Sequence, residues 1–234
     1  MDIEIPSKYI EHAVAKYESD VQQQKVKPTP KGPKKLITIS RQVGAGGRLI
    51  ADKIGEELGC MVWGREILDV LAGQSGGNYQ ARMFKALDER TQGIIDSIIG
   101  DFFGQIQTQT YHHLLPKAIL TIARNDAVFV GRGVNLLLPE AFRVRIKAST
   151  ETRIKNLMTY DGMDKKSAEE KIKDADHQSE GFMKELSRRI NIKSYEDEFD
   201  LGICMNRIGI DQAASIILHG FKLFQKSHLE HFSK

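Results

Sequence analysis

The sequence predicts an α/β fold: a parallel sheet of about five strands flanked by helices. Two observations carry this. Residues 36–59, LITISRQVGAGGRLIADKIGEELG, run from a short apolar segment through a glycine turn into an amphipathic repeat. Further apolar segments follow at Cys60–Trp63, Ala127–Val130, Phe142–Lys147 and Leu201–Asn206, with helix-patterned stretches between them. Strands alternating with helices force right-handed crossovers and bring the glycine turn to the carboxyl edge of the sheet.

The stretch 36–59 organises the rest. Leu36 to Ile39, with Thr38 among them, suits a buried strand. Ile50, Ile54 and Leu58 recur every four residues, the spacing of one helix face. Between them lie Gly44, Ala45, Gly46 and Gly47. Glycines let the backbone come close to an anion and turn several N–H groups toward it. The helix N-terminus adds about half a positive charge. A dinucleotide fingerprint would need a third glycine at position 49, which is Leu49, and an acid after the next strand, which ends at Trp63-Gly64. A turn that only lets a helix pack on a strand is the plainer alternative. Against the nucleotide P-loop, Gly47 falls at the lysine position, Arg48 at the hydroxyl position and Arg41 at the first glycine. A standard charge and a standard magnesium ligand are therefore missing.

The run Ile39-Ser40-Arg41-Gln42 followed by Gly44-Ala45-Gly46-Gly47-Arg48 resembles the cytidylate kinase-like family, whose phosphate loop typically reads S-R-Q-x-G-S-G-G. The likeness continues through Gly131-Arg132-Gly133, Phe142 to Arg153 and the last strand and helix, over about residues 36–225. It implies a P-loop nucleoside-kinase-like three-layer sandwich with a helical acceptor-binding insertion and a lid. It also implies transfer of the γ-phosphoryl of ATP, with magnesium, to a nucleotide, with CMP or dCMP as the first guess. The missing lysine reads as a trait of that family.

Bulk composition agrees with a globular protein. The 234 residues carry 41% hydrophobic and 28% charged residues, enough for a sizeable core and a wet surface. No apolar run approaches the roughly 20 residues that cross a bilayer. The N-terminus lacks the basic and apolar regions of a secretory signal. Cys60 and Cys204 are too few for a disulfide framework, so a reducing, cytoplasmic setting is expected. A net charge of +3 permits anionic small molecules and makes no case for nucleic acid.

In chain order, residues 1–24 read as an N-terminal helix, with Ile10, Val14, Tyr17 and Val21 forming one stripe. It is expected to dock on the domain or on a second subunit, making a homo-oligomer. Residues 25–35 form a linker, with three prolines against a helix and five lysines to hold water. The domain then spans 36–227, with a helical insertion at 74–124 and a lid region at 155–190. Within the insertion, Gly93, Gly100 and Gly104 weaken the helix read over 81–110, which is expected in two or more pieces. By the resemblance this insertion binds the acceptor, which makes Arg82 and Arg90 candidates for its phosphate. Glu66 and Arg65 stand near the place of the family's post-strand Asp, here Gly64. His112-His113 lack ligand spacing, and no metal site is expected.

Pro116 to Arg124 reads as a further helix, then Ala127 to Val130 as a strand ending at Gly131-Arg132-Gly133. The family's G-R-D at this place holds the acceptor; here Gly133 replaces the Asp, which puts cytosine selectivity in question. Ser149 and Thr150 suit a helix cap, and Ser167 with Glu170 suits a capping box. The resemblance puts Arg153 where a lid arginine reaches the donor phosphates. The family's following arginines fall at Asn156 and Leu157. Lys173 retains part of the lid's charge, and Asp211 is expected to cap the last helix.

The site expected from these readings has the amides of Gly44 to Arg48 on the β-phosphate. Arg48 or Arg41 replaces the lysine charge, Arg153 and Lys173 stand over the γ-phosphate, and Arg132 holds the acceptor. The alternative is a non-catalytic nucleotide-binding or regulatory protein on the same fold.

Overall fold

The computed structural model describes residues 7–26, 34–74, 79–103 and 111–232. Most of the expected linker, 27–33, lies outside the described residues, as does Gly104. The chain forms two units. One comprises Met1–Lys34 with Trp63–Ala127; the other comprises Lys35–Val62 with Val128–Lys234.

The second unit holds the sheet. Its strands are β1 (Leu36–Arg41), β2 (Met61–Trp63, whose last residue opens the first unit), β3 (Ala127–Val130), β4 (Phe142–Lys147) and β5 (Leu201–Cys204). They lie in the order β2-β3-β1-β4-β5, all parallel. Ile39 faces Val144 across β1 and β4, and Ile146 faces Ile203 across β4 and β5. The expected α/β class and strand number both hold.

One face of the sheet presents Ile37, Ile39, Val144, Ile146 and Ile203 to helices α2 (Gly47–Leu58) and α10 (Ile210–Phe232). Ile50, Ile54, Ala213, Ile217 and Phe221 fill the space between. Phe142 packs on Phe221 and Phe224 at ring separations of 6.1 and 5.2 Å. The opposite side of β4 carries Arg143, whose guanidinium takes Asp200 at 2.8 Å and Glu198 at 2.6 Å, tying β4 to the entry of β5. The short helix α7 (Val134–Leu137) follows β3, and α8 (Thr150–Asp161) and α9 (Lys165–Arg189) follow β4.

Two caps differ from expectation. Ser149 does cap α8, accepting from Thr152 N. The α9 cap, however, is Asp164, which accepts from Ser167 N at 3.1 Å and Ser167 Oγ at 2.6 Å. Ser167 therefore sits inside the first turn and is not the start of a capping box. The Asp164 carboxylate starts the helix a turn sooner by taking the amide of Ser167, and negative charge is favoured at that helix end. Those bonds, the Ser167 hydroxyl first, hold the Asp164 carboxyl below its ordinary range. Asp211 likewise lies in the first turn of α10, paired with Lys53 at 2.6 Å.

The first unit is helical: α1 (Ser7–Val26), α3 (Arg65–Asp69) running into a π-helical turn at Val70–Gln74, α4 (Tyr79–Ala86), α5 (Glu89–Phe103) and α6 (Tyr111–Ile122). The stripe expected on α1 is buried here: Ile10, Ala13, Val14, Tyr17 and Val21 are each at most 7% exposed. Tyr17 donates its hydroxyl to Thr121 O at 3.0 Å, and burial pushes that phenol well above its usual range. The expected division into pieces is present, and among the described residues one break falls at Asp88. Asp88 accepts from Thr91 N and Thr91 Oγ1 at 2.9 and 2.8 Å, so the chain restarts there as a capped helix. Gly93 and Gly100 lie inside α5, their cost of roughly 1 kcal/mol each offset by burial of Ile95 and Ile99. α6 starts earlier than expected and carries Pro116 within it.

Candidate functional site

The site lies at the carboxyl edge of the sheet in the second unit, built on the segment between β1 and α2. Gln42 N extends the β1–β4 ladder by bonding Ile146 O at 3.2 Å, and its side-chain oxygen accepts from Ala148 N at 3.0 Å. The chain then turns: Ala45 N donates to Gln42 O at 3.1 Å, and Ile50 N to Gly46 O at 3.2 Å. Gly44 and Gly46 have φ of +78° and +79°, the left-handed region that glycine enters without strain. Gly47 opens α2 so close to Arg41 that a Cβ there would stand 2.6 Å from Arg41 Cβ. Among the described residues the amides of Gly44, Gly46 and Gly47 make no backbone hydrogen bond. N–H groups without a backbone partner, on a turn with left-handed residues that leads into a twelve-residue helix, are a geometry that suits an anion. Ala45 differs from its neighbours: its side chain is fully buried and its amide is used by Gln42.

Arginines surround this loop. Arg41 leaves the end of β1 and carries its guanidinium to Gly131, so that a Cβ at Gly131 would lie 3.2 Å from Arg41 NH1. Two predicted elements, the loop and the Gly131-Arg132-Gly133 corner, are thereby joined. Arg132 itself has φ +57° and stacks on the Phe182 ring, 5.3 Å from its centroid. A left-handed arginine costs on the order of 1–2 kcal/mol, so the corner is held open by its surroundings. Arg48 points along α2, its Nε donating to both oxygens of Asp52 at 3.0 and 3.1 Å. Both side chains are about half exposed, so this pair is weak and easily given up to a phosphate.

Arg153, expected at the donor phosphates, is buried between the loop and α9. It is 2% exposed. Its Nε donates to Val43 O at 2.7 Å, and its two terminal nitrogens bond Asp176 at 2.8 and 2.7 Å. One turn on, Asn156 Nδ2 donates to Gly44 O at 2.8 Å. Lys173 is exposed on α9. Of the acceptor candidates in the first unit, Arg82 is ion-paired to Glu11 and Glu18 of α1, both at 2.7 Å. Arg90 is exposed on α5, and Glu66 lies in the first turn of α3.

Arg145 was not a candidate in the sequence, where Phe142–Lys147 read only as a strand. It stands opposite Ser40 in the β1–β4 register and donates to the Ser40 hydroxyl. The Phe199 ring lies 5.7 Å from its guanidinium carbon. Burial pushes its guanidinium below its ordinary value, against the opposing pull of Tyr195, Glu196 and Asp176. Ser40 thus accepts a hydrogen bond from Arg145, and among the described residues no group of three His, Cys, Asp or Glu stands together.

A family model described as the cytidylate kinase-like family matches residues 36–207. No curated protein matches the chain. Among solved structures, the chain is similar to an uncharacterized protein from Eubacterium ventriosum, at 20% identity, 80% of this chain, 97% of that one and a TM-score of 0.47. It is also similar to shikimate kinase from Acinetobacter baumannii, solved with shikimate, at 16% identity, 80% of this chain, 92% of that one and a TM-score of 0.42.

Proposed function

The chain belongs to the cytidylate kinase-like family, and from that premise we propose that it is a kinase moving the γ-phosphoryl of ATP to a nucleoside monophosphate. CMP or dCMP is the first acceptor to assay. The observation that carries the reading is the trio of unpaired amides at Gly44, Gly46 and Gly47, on a loop whose carbonyls α8 holds. Phosphoryl transfer asks a protein mainly for positioning and charge neutralisation. The three amides and that of Arg48 would take the β-phosphate. Arg41 and Arg48 would supply the charge that a P-loop lysine otherwise gives, Arg48 by releasing Asp52. Lys173 would add charge on the γ side, and Arg132 would fix the acceptor. Magnesium, where used, would arrive on the nucleotide's own phosphates and waters, as this small cation commonly does.

A second reading has its own support. The Arg48–Asp52 pair and the occupied Ser40 hydroxyl suit a protein that binds nucleotide and does not turn it over. A thermal-shift panel of ATP, ADP, GTP and the monophosphates, with and without magnesium, separates the two. Ligand at about 100 times its Kd adds roughly 2.7 kcal/mol, or several degrees. A kinase should give a magnesium-dependent rise with ATP and a second rise with one monophosphate. A rise that ignores magnesium favours the binding protein, and no rise with any nucleotide defeats both. In a kinase, Arg48→Ala should lower turnover about 100-fold, as loss of one transition-state donor does. In a binding protein it should weaken affinity alone.

A further inference from the structure

We infer that Arg153 is a positioning residue: with Asn156 it grips the phosphate loop, and Asp176 on α9 holds Arg153 in that grip. The inference rests on the kinase reading for its nucleotide arm alone; the geometry stands without it. Arg153 and Asn156 are three apart on α8, so they face the same way. They bond successive carbonyls of the loop, Val43 O and Gly44 O, at 2.7 and 2.8 Å. In a trans peptide the C=O of one residue and the N–H of the next point in opposite directions. Fixing the Val43 carbonyl toward α8 therefore aims the Gly44 amide away from it, as an unpaired donor. Fixing the Gly44 carbonyl aims the Ala45 amide, which lands on Gln42 O. The grip thus determines which loop amides are spent and which are offered.

Asp176 completes the device. A guanidinium 2% exposed needs a counter-charge, and Asp176 supplies it in the two-pronged geometry that leaves Nε for Val43. α9 is also seated at the other edge of the site, where a Cβ on Gly133 would stand 2.4 Å from Leu186 and 3.3 Å from the Met183 sulfur. One helix therefore fixes both the Arg153 grip and the corner that bears Arg132. When α9 moves, Arg153 loses its counter-charge, and the loop amides lose their aim. Asn156 stands where the resemblance would have a second arginine, so a neutral amide takes the carbonyl and adds no charge.

The rival role for Arg153 is direct contact with a γ-phosphate, and two measurements on the full chain separate the roles. The first is hydrogen exchange at the Ala45 amide without nucleotide. Asp176→Asn and Arg153→Lys should each speed it about tenfold or more, since local opening is what these amides report. Asn156→Ala, which leaves every charge in place, should do the same. The second is affinity for ATP and for ADP. Loss of a supporting contact should weaken both by the same factor, about 10- to 100-fold. The double variant Asp176→Asn/Arg153→Lys should be no worse than the weaker single variant. An ATP loss far larger than the ADP loss would make Arg153 a γ-phosphate ligand and overturn the inference, as would unchanged Ala45 exchange in all three variants. If the wild type binds no nucleotide, the exchange result still decides the grip, and it is the kinase reading that fails.

Discussion

Gly44→Ala is expected to remove nucleotide binding while the sheet stays folded. Gly44 lies at φ +78°, where an L-residue pays roughly 1–2 kcal/mol. A methyl group there would also stand 2.7 Å from Arg153 O and 3.0 Å from Arg153 Cβ. Neither neighbour can retreat, because one is helix backbone and Arg153 is held at both ends by Val43 and Asp176. The loop must move instead, and its amides lose their aim. A displacement near 1 Å at a positioned group costs about 100-fold, so the ATP shift should vanish at concentrations that saturate the wild type. Titration calorimetry with ATP checks this, with Gly202→Ala as control, since a Cβ at Gly202 meets nothing within 4 Å. Wild-type affinity in Gly44→Ala would show that the loop is not the phosphate site.

Tyr17→Ala should cost about 3–5 kcal/mol, the usual price of emptying a large aromatic seat. The ring is 3% exposed and its hydroxyl bonds Thr121 O, so the change opens a cavity and removes one of the two hydrogen bonds at that carbonyl, which also accepts from Arg124 N at 3.3 Å. At about 2–4 °C per kcal/mol the melting temperature should fall by roughly 6–20 °C. Tyr17→Phe isolates the hydroxyl and should cost about 0.5–1.5 kcal/mol, since Thr121 O keeps its bond from Arg124 N. The same experiment addresses oligomers. With its stripe buried in its own chain, α1 should give a melting temperature that does not change with protein concentration. A rise with concentration would mean that α1 is seated on a second copy. An unmoved melting temperature in Tyr17→Ala would mean that α1 does not hold the first unit together.

Much of the fold was legible because periodicity reports it directly. Leu36–Ile39, Ala127–Val130 and Phe142–Lys147 read as strands since their apolar residues must be buried on a sheet, and they are. Caps were less legible. Ser167 and Asp164 are both competent to start α9, and the folded chain uses Asp164; Asp211 lies inside the first turn of α10. Asp88 starts a new helix because its carboxylate takes the first-turn amide of Thr91, whereas the exposed Gly93 only weakens the helix it lies in.

The site divides in the same way. Glycine spacing in residues 44–47 determined by itself that the chain turns closely between a strand and a helix, because the left-handed backbone at Gly44 and Gly46 suits glycine. The tasks of the arginines were decided by tertiary structure. Arg41, Arg48, Arg82, Arg132, Arg145 and Arg153 are alike in sequence, yet their partners are the Gly131 corner, Asp52, two glutamates of α1, Phe182, Ser40 and Asp176. A guanidinium's role depends on its burial and its counter-charge. Both come from residues far away in the chain, and so appear only when the chain has folded.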